Sequence, residues 1–405
     1  MYTWRLSVKQ ANAFLPIYTA DNSGMCAALY ELGGLVVMHD ASGCNSTYTT
    51  HDEPRWWDFP SGVYISGLTE VDAVLGNEQR LIDDIVTASE QTRPNFIALG
   101  GTPIPMMMGC DYAGIMRVVE QRTGIISFGV ETNGTLDYVS GQNKAFLALC
   151  KRVCRRIERT HDSDIKVNIL GVSPLDFSTN GSDIELRNLI SNSGFKVNAV
   201  LAMHSSFDEI CNLGQADVNL VVTGSGLATA EYLYASFGIP FVIGCPIGNF
   251  MTKAVINALE QAARLRQNIN LAVGCRGNSD QGKATYIIGE SVMGAAMRAS
   301  LIRDEGLDNV RVLTSLWADE NLLSTGDHKE MREDDYLKLL AKSAMVIADP
   351  LFKILPVLQR CETVEFVDLP HEAFSGRMWR SSMVNLFGQA FNTWYSTRHE
   401  RPSLT

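Results

Sequence analysis

The sequence lacks the short motifs that announce a zinc protein: it has no C-x-x-C pair and no H-E-x-x-H. It also lacks any apolar run of the roughly 20 residues that a membrane-crossing helix needs, and no basic segment followed by an apolar core opens it. Positive charge is scarce. Against 45 Asp and Glu there are 34 Lys and Arg, a formal net charge of −11. That balance excludes nucleic acid and anionic membrane as the expected partners. The nine cysteines are odd in number and lack the tandem spacing of a disulfide framework. The expectation is a cytoplasmic protein whose thiols are reduced, free to ligate metal or to pack in the core.

What remains is a globular composition, 46% hydrophobic and 20% charged over 405 residues. The pattern alternates strand and helix throughout. Apolar runs at 35–38, 63–67, 96–101 and 126–132 alternate with helical spacing at 78–91 and 114–122, and a long helix is expected to close this block near residue 159. A second block has strands at 165–172, 195–201, 217–224 and 239–246, and a third at 284–291, 309–317, 344–350 and 363–369. The expected fold is α/β, three Rossmann-like parallel-sheet domains over residues 1–160, 161–270 and 271–405. Cys44, Thr102, Thr223 and Cys245 all fall just past expected strand ends, where such folds hold ligands.

The stretch from Leu35 to Trp57 runs from an apolar strand into Asp40, Ala41, Ser42, Gly43 and Cys44. Cys26 sits in a similar setting two residues after Gly24, so both cysteines read as loop thiols. Each is a candidate metal ligand or a small buried hydrophobe. His51, Asp52, Glu53 and Arg55 follow as a dense polar cluster, with Trp56 and Trp57 behind them. The segment reads as a solvated loop, as a dimer interface, or as a source of protons from His51 and Asp52; the interface reading is preferred.

The run AVLGNEQRLIDDIVTASEQTRPNFIALGGTPIPMMMGCDYAGIMRVVEQRTGIISFGVETNG resembles the signature of nitrogenase component 1 and its relatives, as do Gly43-Cys44 with His51, Glu53 and Pro54, GSGLATAEYLYASFGIPFVIGCPIG and SGRMWRSSMVNLFGQAFN. The resemblance implies an iron–sulfur cluster at a two-subunit interface. Cys26 and Cys44 stand at two ligand positions and Thr102 at the third; Cys110 matches an acidic position instead. Two thiolates from each chain of a homodimer, or of a heterodimer or heterotetramer with a paralogous subunit, imply one [4Fe–4S] cluster. Thr223 stands where the family's large cofactor takes a cysteine, and His371 lies near its histidine, so no iron–molybdenum type cofactor is expected. A substrate other than dinitrogen would then bind between the blocks, near Thr223, Cys245 and His371. Electrons would come from an ATP-driven iron protein docking near Cys26, Thr102 and Glu53. A non-catalytic scaffold for cofactor assembly and a metal-free Rossmann-type binding protein are the alternatives.

Two further features read as structural. GNSDQGKA nearly fits a phosphate loop, but Ala284 replaces the magnesium-binding hydroxyl and a strand pattern follows Lys283, so ATP is left to the partner. Cys150 and Cys154 fall four apart on the expected long helix, where ordinary packing is preferred to a metal pair.

Overall fold

The fold is that of a computed structural model, which describes residues 12–15, 19–41, 53–60, 62–155, 164–275, 282–329, 331–360 and 363–399. Three parallel sheets form along the chain. The first comprises β1 (Leu35–His39), β2 (Val63–Ile65), β3 (Ile97–Gly101) and β4 (Ser127–Val130) in the order β2-β1-β3-β4. The second comprises β5 (Lys166–Leu170), β6 (Lys196–Leu201), β7 (Val218–Val221), β8 (Phe241–Ile243) and β9 (Ile269–Asn270) in the order β6-β5-β7-β8-β9. The third comprises β10 (Thr285–Ile288), β11 (Val310–Leu313), β12 (Met345–Ala348) and β13 (Glu365–Asp368) in the order β11-β10-β12-β13. All strand pairings are parallel. The short β9 is the one strand the apolar pattern did not announce: two half-buried residues give almost no periodic signal.

Each sheet starts in its centre, adds one strand on one side and then reverses. This puts a topological switch point between β1 and β3, between β5 and β7, and between β10 and β12. Strands β1, β3, β7 and β12 are buried over their whole length, which explains their continuous apolar runs: helices cover both faces. Among the described residues no helix is long and apolar enough to cross a membrane.

A close helix crossing holds the first block together. Helix Asp21–Leu29 is buried at all nine positions and crosses helix Tyr138–Val153. The approach depends on glycine. A Cβ built on Gly141 would lie 1.9 Å from the Asp21 carbonyl oxygen, and one on Gly24 would lie 2.3 Å from that of Tyr138. Helix Tyr138–Val153 ends about six residues before the expected end, because Cys154 is already extended at ψ 132°. Cys154 therefore leaves the helix and donates its thiol to the Ile210 carbonyl at 3.3 Å. Cys150 and Cys154 nonetheless remain neighbours, as the spacing indicated: the contact with the Cys154 thiol, and then burial, raises the Cys150 pKa well above the ordinary 9.

The chain before helix Asp21–Leu29 is strapped to the third block. The Glu333 carboxylate accepts from the amides of Ala13, Phe14 and Leu15 at 2.9, 2.8 and 2.7 Å. Farther along, the Thr19 amide and hydroxyl both donate to the Ala373 carbonyl at 3.2 Å.

Gly141→Ala is expected to destabilise the protein by about 1–3 kcal/mol, because backbone meets the new methyl and cannot step aside. Gly274→Ala, where a Cβ meets nothing within 4 Å, is the control and should leave stability unchanged. Urea unfolding of both variants is the check, and equal midpoints would contradict this account of the crossing.

Candidate functional site

The C-terminal ends of the second and third sheets face each other, and the loops there bring together the side chains of the site. Thr223 follows β7. Its hydroxyl donates to the Gly171 carbonyl at 2.7 Å and pairs with the Ser225 hydroxyl at 2.8 Å, so it is engaged within its own sheet. The next amide, Gly224, crosses to the third sheet and donates to Glu290 Oε1 at 3.0 Å. Glu290 follows β10 and caps helix Ser291–Arg303, accepting from the Met293 amide and the Ser291 hydroxyl, each at 2.9 Å. It is 2% exposed. Burial, and after it the Asp176 carboxylate, raises its pKa above the ordinary 4.5.

Asp176 comes from the short helix Pro174–Phe177 that follows β5. Tyr138, brought in by the glycine-dependent helix crossing, donates its hydroxyl to Asp176 Oδ1 at 2.5 Å. Burial raises the Tyr138 pKa well above 10, and the Asp176 charge adds to this, so the phenol stays a donor. On the other side, His371 Nε2 lies 3.4 Å from the same Oδ1. His371 Nδ1 accepts the Ala373 amide at 3.2 Å, which places the proton of the neutral ring on Nε2, toward Asp176. That Nε2 has no hydrogen-bond partner among the described residues. Asp349, after β12, holds the histidine loop by accepting from the His371 amide at 2.8 Å and the Ser375 hydroxyl at 2.7 Å.

Asp176, Glu290 and His371 line a cavity of about 40 Å³, otherwise walled by groups such as Phe177, Met293 and Phe387. That is room for about three ordered waters or a small organic group. A larger groove of about 680 Å³ lies at the opposite end of the second sheet, near Asp164 and Asp217, away from the loops at the switch points.

Of the three residues expected in the pocket, His371 lines it and Thr223 and Cys245 do not. Cys245 is buried after β8, and Ile247 takes the lining position. Burial, then Glu290 and Asp176, pushes the Cys245 thiol well up, so it is a neutral neighbour of the acids. Asp176, Glu290 and Tyr138 were missed. The available signal for Glu290 was an acid placed directly after a buried apolar strand.

In the first block, Cys44, His51 and Asp52 lie outside the described residues. Cys26 does not stand on a loop. It lies inside helix Asp21–Leu29, 0% exposed, and burial followed by the Glu53 charge pushes its thiol well up. As packed in the single chain it presents no sulfur to a partner and does not fit an intersubunit cluster. Thr102, at the first switch point, is buried and donates to the His39 carbonyl at 3.4 Å, tying the end of β3 to that of β1. Glu53 and Arg55 are not solvated either. Arg55 Nε reaches Glu53 Oε1 at 2.6 Å, Nη1 reaches Glu31 at 2.8 Å, and Nη2 reaches the Ala27 carbonyl at 2.8 Å. Glu53 is therefore a buried anchor of the cysteine helix, which removes it as a docking charge. Trp57 is 82% exposed, and Val71, Val74, Leu75 and Met107 stand exposed on the helices that follow β2 and β3.

Cys110 is half-buried, its pKa raised to about 11 by burial, then by Glu78 and Asp111. Cys211, without partner spacing in the sequence, is brought beside Cys154: the Arg155 amide donates to the Cys211 carbonyl at 3.3 Å. Among the described residues no three His, Cys, Asp or Glu are placed to hold a metal ion. Lys283 leads into β10, so the near-match to a phosphate loop runs into a strand, as the sequence indicated.

A raised folded-state pKa means that Glu290 contributes its full stability below 4.5 and loses it as pH rises through the folded value. Glu290→Gln cannot ionise. Its urea midpoint should therefore gain on that of the native protein as pH rises above 4.5. A difference that stays constant above that pH would contradict the buried-acid assignment.

Comparison with known proteins identifies the family and the fold. A family model described as "Nitrogenase component 1 type Oxidoreductase" matches residues 25–274, more than half of the chain. One chain of the light-independent protochlorophyllide reductase of Nostoc sp. is 24% identical over 297 residues, covering 63% of this chain and 58% of that one. The nitrogenase iron-molybdenum cofactor biosynthesis protein NifE of Clostridium pasteurianum is 29% identical over 185 residues, covering 44% of this chain and 38% of its own. The chain thus spans between 38% and 58% of these curated relatives. A solved chain titled "Nitrogenase Cp1 at pH 6.5" superposes with a TM-score of 0.65 at 15% identity, covering 98% of this chain and 93% of that one, and supports the fold alone. The chain belongs to the nitrogenase component 1 type oxidoreductase family.

Proposed function

We propose that the chain is a subunit of a nitrogenase-like reductase, and that a substrate other than dinitrogen is reduced in the cavity between the second and third sheets. The observation that carries this reading is the buried set Asp176, Glu290 and His371 at the facing switch points. Reduction of an unsaturated molecule consumes protons along with electrons. The Tyr138 hydroxyl donates to Asp176, His371 Nε2 stands 3.4 Å away on the other side at the cavity, and Glu290 adds a second acid whose pKa burial raises. Much of the wall around these groups is apolar. Thr223, with its hydroxyl engaged by Gly171 and Ser225, offers no thiolate, which supports a site without an iron–molybdenum type cofactor.

An iron–sulfur cofactor, proposed as one [4Fe–4S] at a dimer interface, would supply one-electron chemistry. In this chain that proposal rests on Cys44; Cys26 contributes only if its helix opens. The exposed Trp57, Val71, Val74, Leu75 and Met107 support an interface at this end of the first sheet, with a second copy or a paralogous subunit. The electron donor is proposed to be a separate ATP-hydrolysing iron protein. The likeness to NifE favours one other reading, a scaffold on which a cofactor is assembled and passed on.

Turnover by the anaerobically purified protein, with a nitrogenase-type iron protein and MgATP, separates the two readings. For the reductase, His371→Gln and Asp176→Asn should each lower the rate by about 10²-fold or more with iron content unchanged. Cys44→Ala should remove the iron, elemental analysis should find no molybdenum or vanadium, and the chain alone should release no phosphate from ATP. Full rates in both pocket variants, or full iron in Cys44→Ala, would overturn the corresponding part of the proposal.

A further inference from the structure

We infer that the cavity between the second and third sheets selects a small organic cation, an amine or amidine on an apolar body, and rejects anions; this rests on reading the cavity as the substrate site. The argument is one of charge balance. The Asp176 side chain is 0% exposed and Glu290 is 2% exposed, and both carboxylates line the same small space. The donors that meet them are neutral: the Tyr138 and Ser173 hydroxyls for Asp176, and the Gly224 and Met293 amides with the Ser291 hydroxyl for Glu290. No Lys or Arg is among the described lining residues. The basic groups nearby are already engaged, Arg380 with Glu372 at 2.5 Å and Lys353 with Asp368 at 2.6 Å. His371 is the one basic group among those lining residues, and its Nε2 stops at 3.4 Å from Asp176, outside hydrogen-bond contact.

Two carboxylic acids so close share their charge unequally, since burial and the Asp176 carboxylate raise the Glu290 pKa; the negative charge that remains, with no cation beside it, repels an anion that enters and attracts a cation. The rest of the wall fits an apolar body. Phe177 and Phe387 stack with centroids 5.7 Å apart, and aromatic rings attract ammonium and amidinium groups. The unbranched thioethers of Met293 and Met297 can shift to fit the ligand's shape. A free volume of about 40 Å³ sets the scale at a few heavy atoms before the side chains must move.

The test uses the full chain carrying methyl-13C methionine, with the Met293 and Met297 signals identified from Met293→Leu and Met297→Leu. It is titrated with butylammonium, butan-1-ol and butyrate, three probes of one shape and different charge. The expected result is a saturable shift of the Met293 and Met297 methyls with butylammonium, a weaker one with butanol and none with butyrate. Asp176→Asn and Glu290→Gln should each weaken butylammonium by about tenfold or more. Near-ultraviolet circular dichroism confirms that each variant is folded, and Asp176→Asn alone decides if Glu290→Gln is not. Butyrate binding as tightly as butylammonium, no methyl shift with butylammonium, or a butylammonium affinity that survives Asp176→Asn would each overturn the inference. These readouts need neither iron nor an electron donor. A reductase that turns over but shows no cation preference overturns the inference alone, whereas cation binding without turnover leaves it standing and overturns the reductase reading.

Discussion

A carboxylate buried between two sheets without a cation is the constraint on which the site depends. Glu290 is held by an amide from the second sheet and by an amide and a hydroxyl from its own helix, so one side chain locks two switch points together. A buried charge costs several kcal/mol even when well hydrogen-bonded, and apolar packing would join two sheets at less cost. Such groups cluster where they act on a ligand. The first block adds to the same place: the glycine crossing of helices Asp21–Leu29 and Tyr138–Val153 sets Tyr138 against Asp176. Asp137, capping that second helix, accepts the Trp317 amide of the third block at 2.8 Å.

The architecture was legible because long parallel strands buried on both faces must be apolar without interruption. The runs at 35–38, 96–101 and 344–350 could be read as strands for that reason alone. The family signature around Gly76, Gly101 and Asp111 was legible as well. Gly76 and Gly109 adopt the left-handed conformation at helix ends, and Asp111 caps helix Tyr112–Thr123 by accepting the Gly114 amide at 2.9 Å.

What the sequence hid was set by contacts between distant residues. Cys26 read as a loop thiol because Asn22, Ser23 and Gly24 are poor helix formers; packing against Tyr138 and Gly141, which a local pattern does not record, makes that stretch a helix. Glu53 and Arg55 read as part of a polar interface segment, with a solvated loop as the alternative, and neither reading foresees their burial within the chain. Their burial depends on Glu31 and the Ala27 carbonyl, more than 20 residues away in the chain. Asp176 and Glu290 are 114 residues apart, and only the facing of two separate sheets brings them to one cavity. His371 was found because resemblance, not spacing, pointed to it.

The chain places its acids, its histidine and its apolar walls where two doubly wound sheets meet, and a group of exposed apolar side chains around the first sheet. The central claim is that the meeting point is where a small molecule is bound. The most direct measurement is a cryo-electron microscopy map of the assembly isolated without oxygen from its native host. The account predicts non-protein density between Asp176, Glu290 and His371. An empty cavity there, with a small molecule bound at another place in the chain, would contradict it.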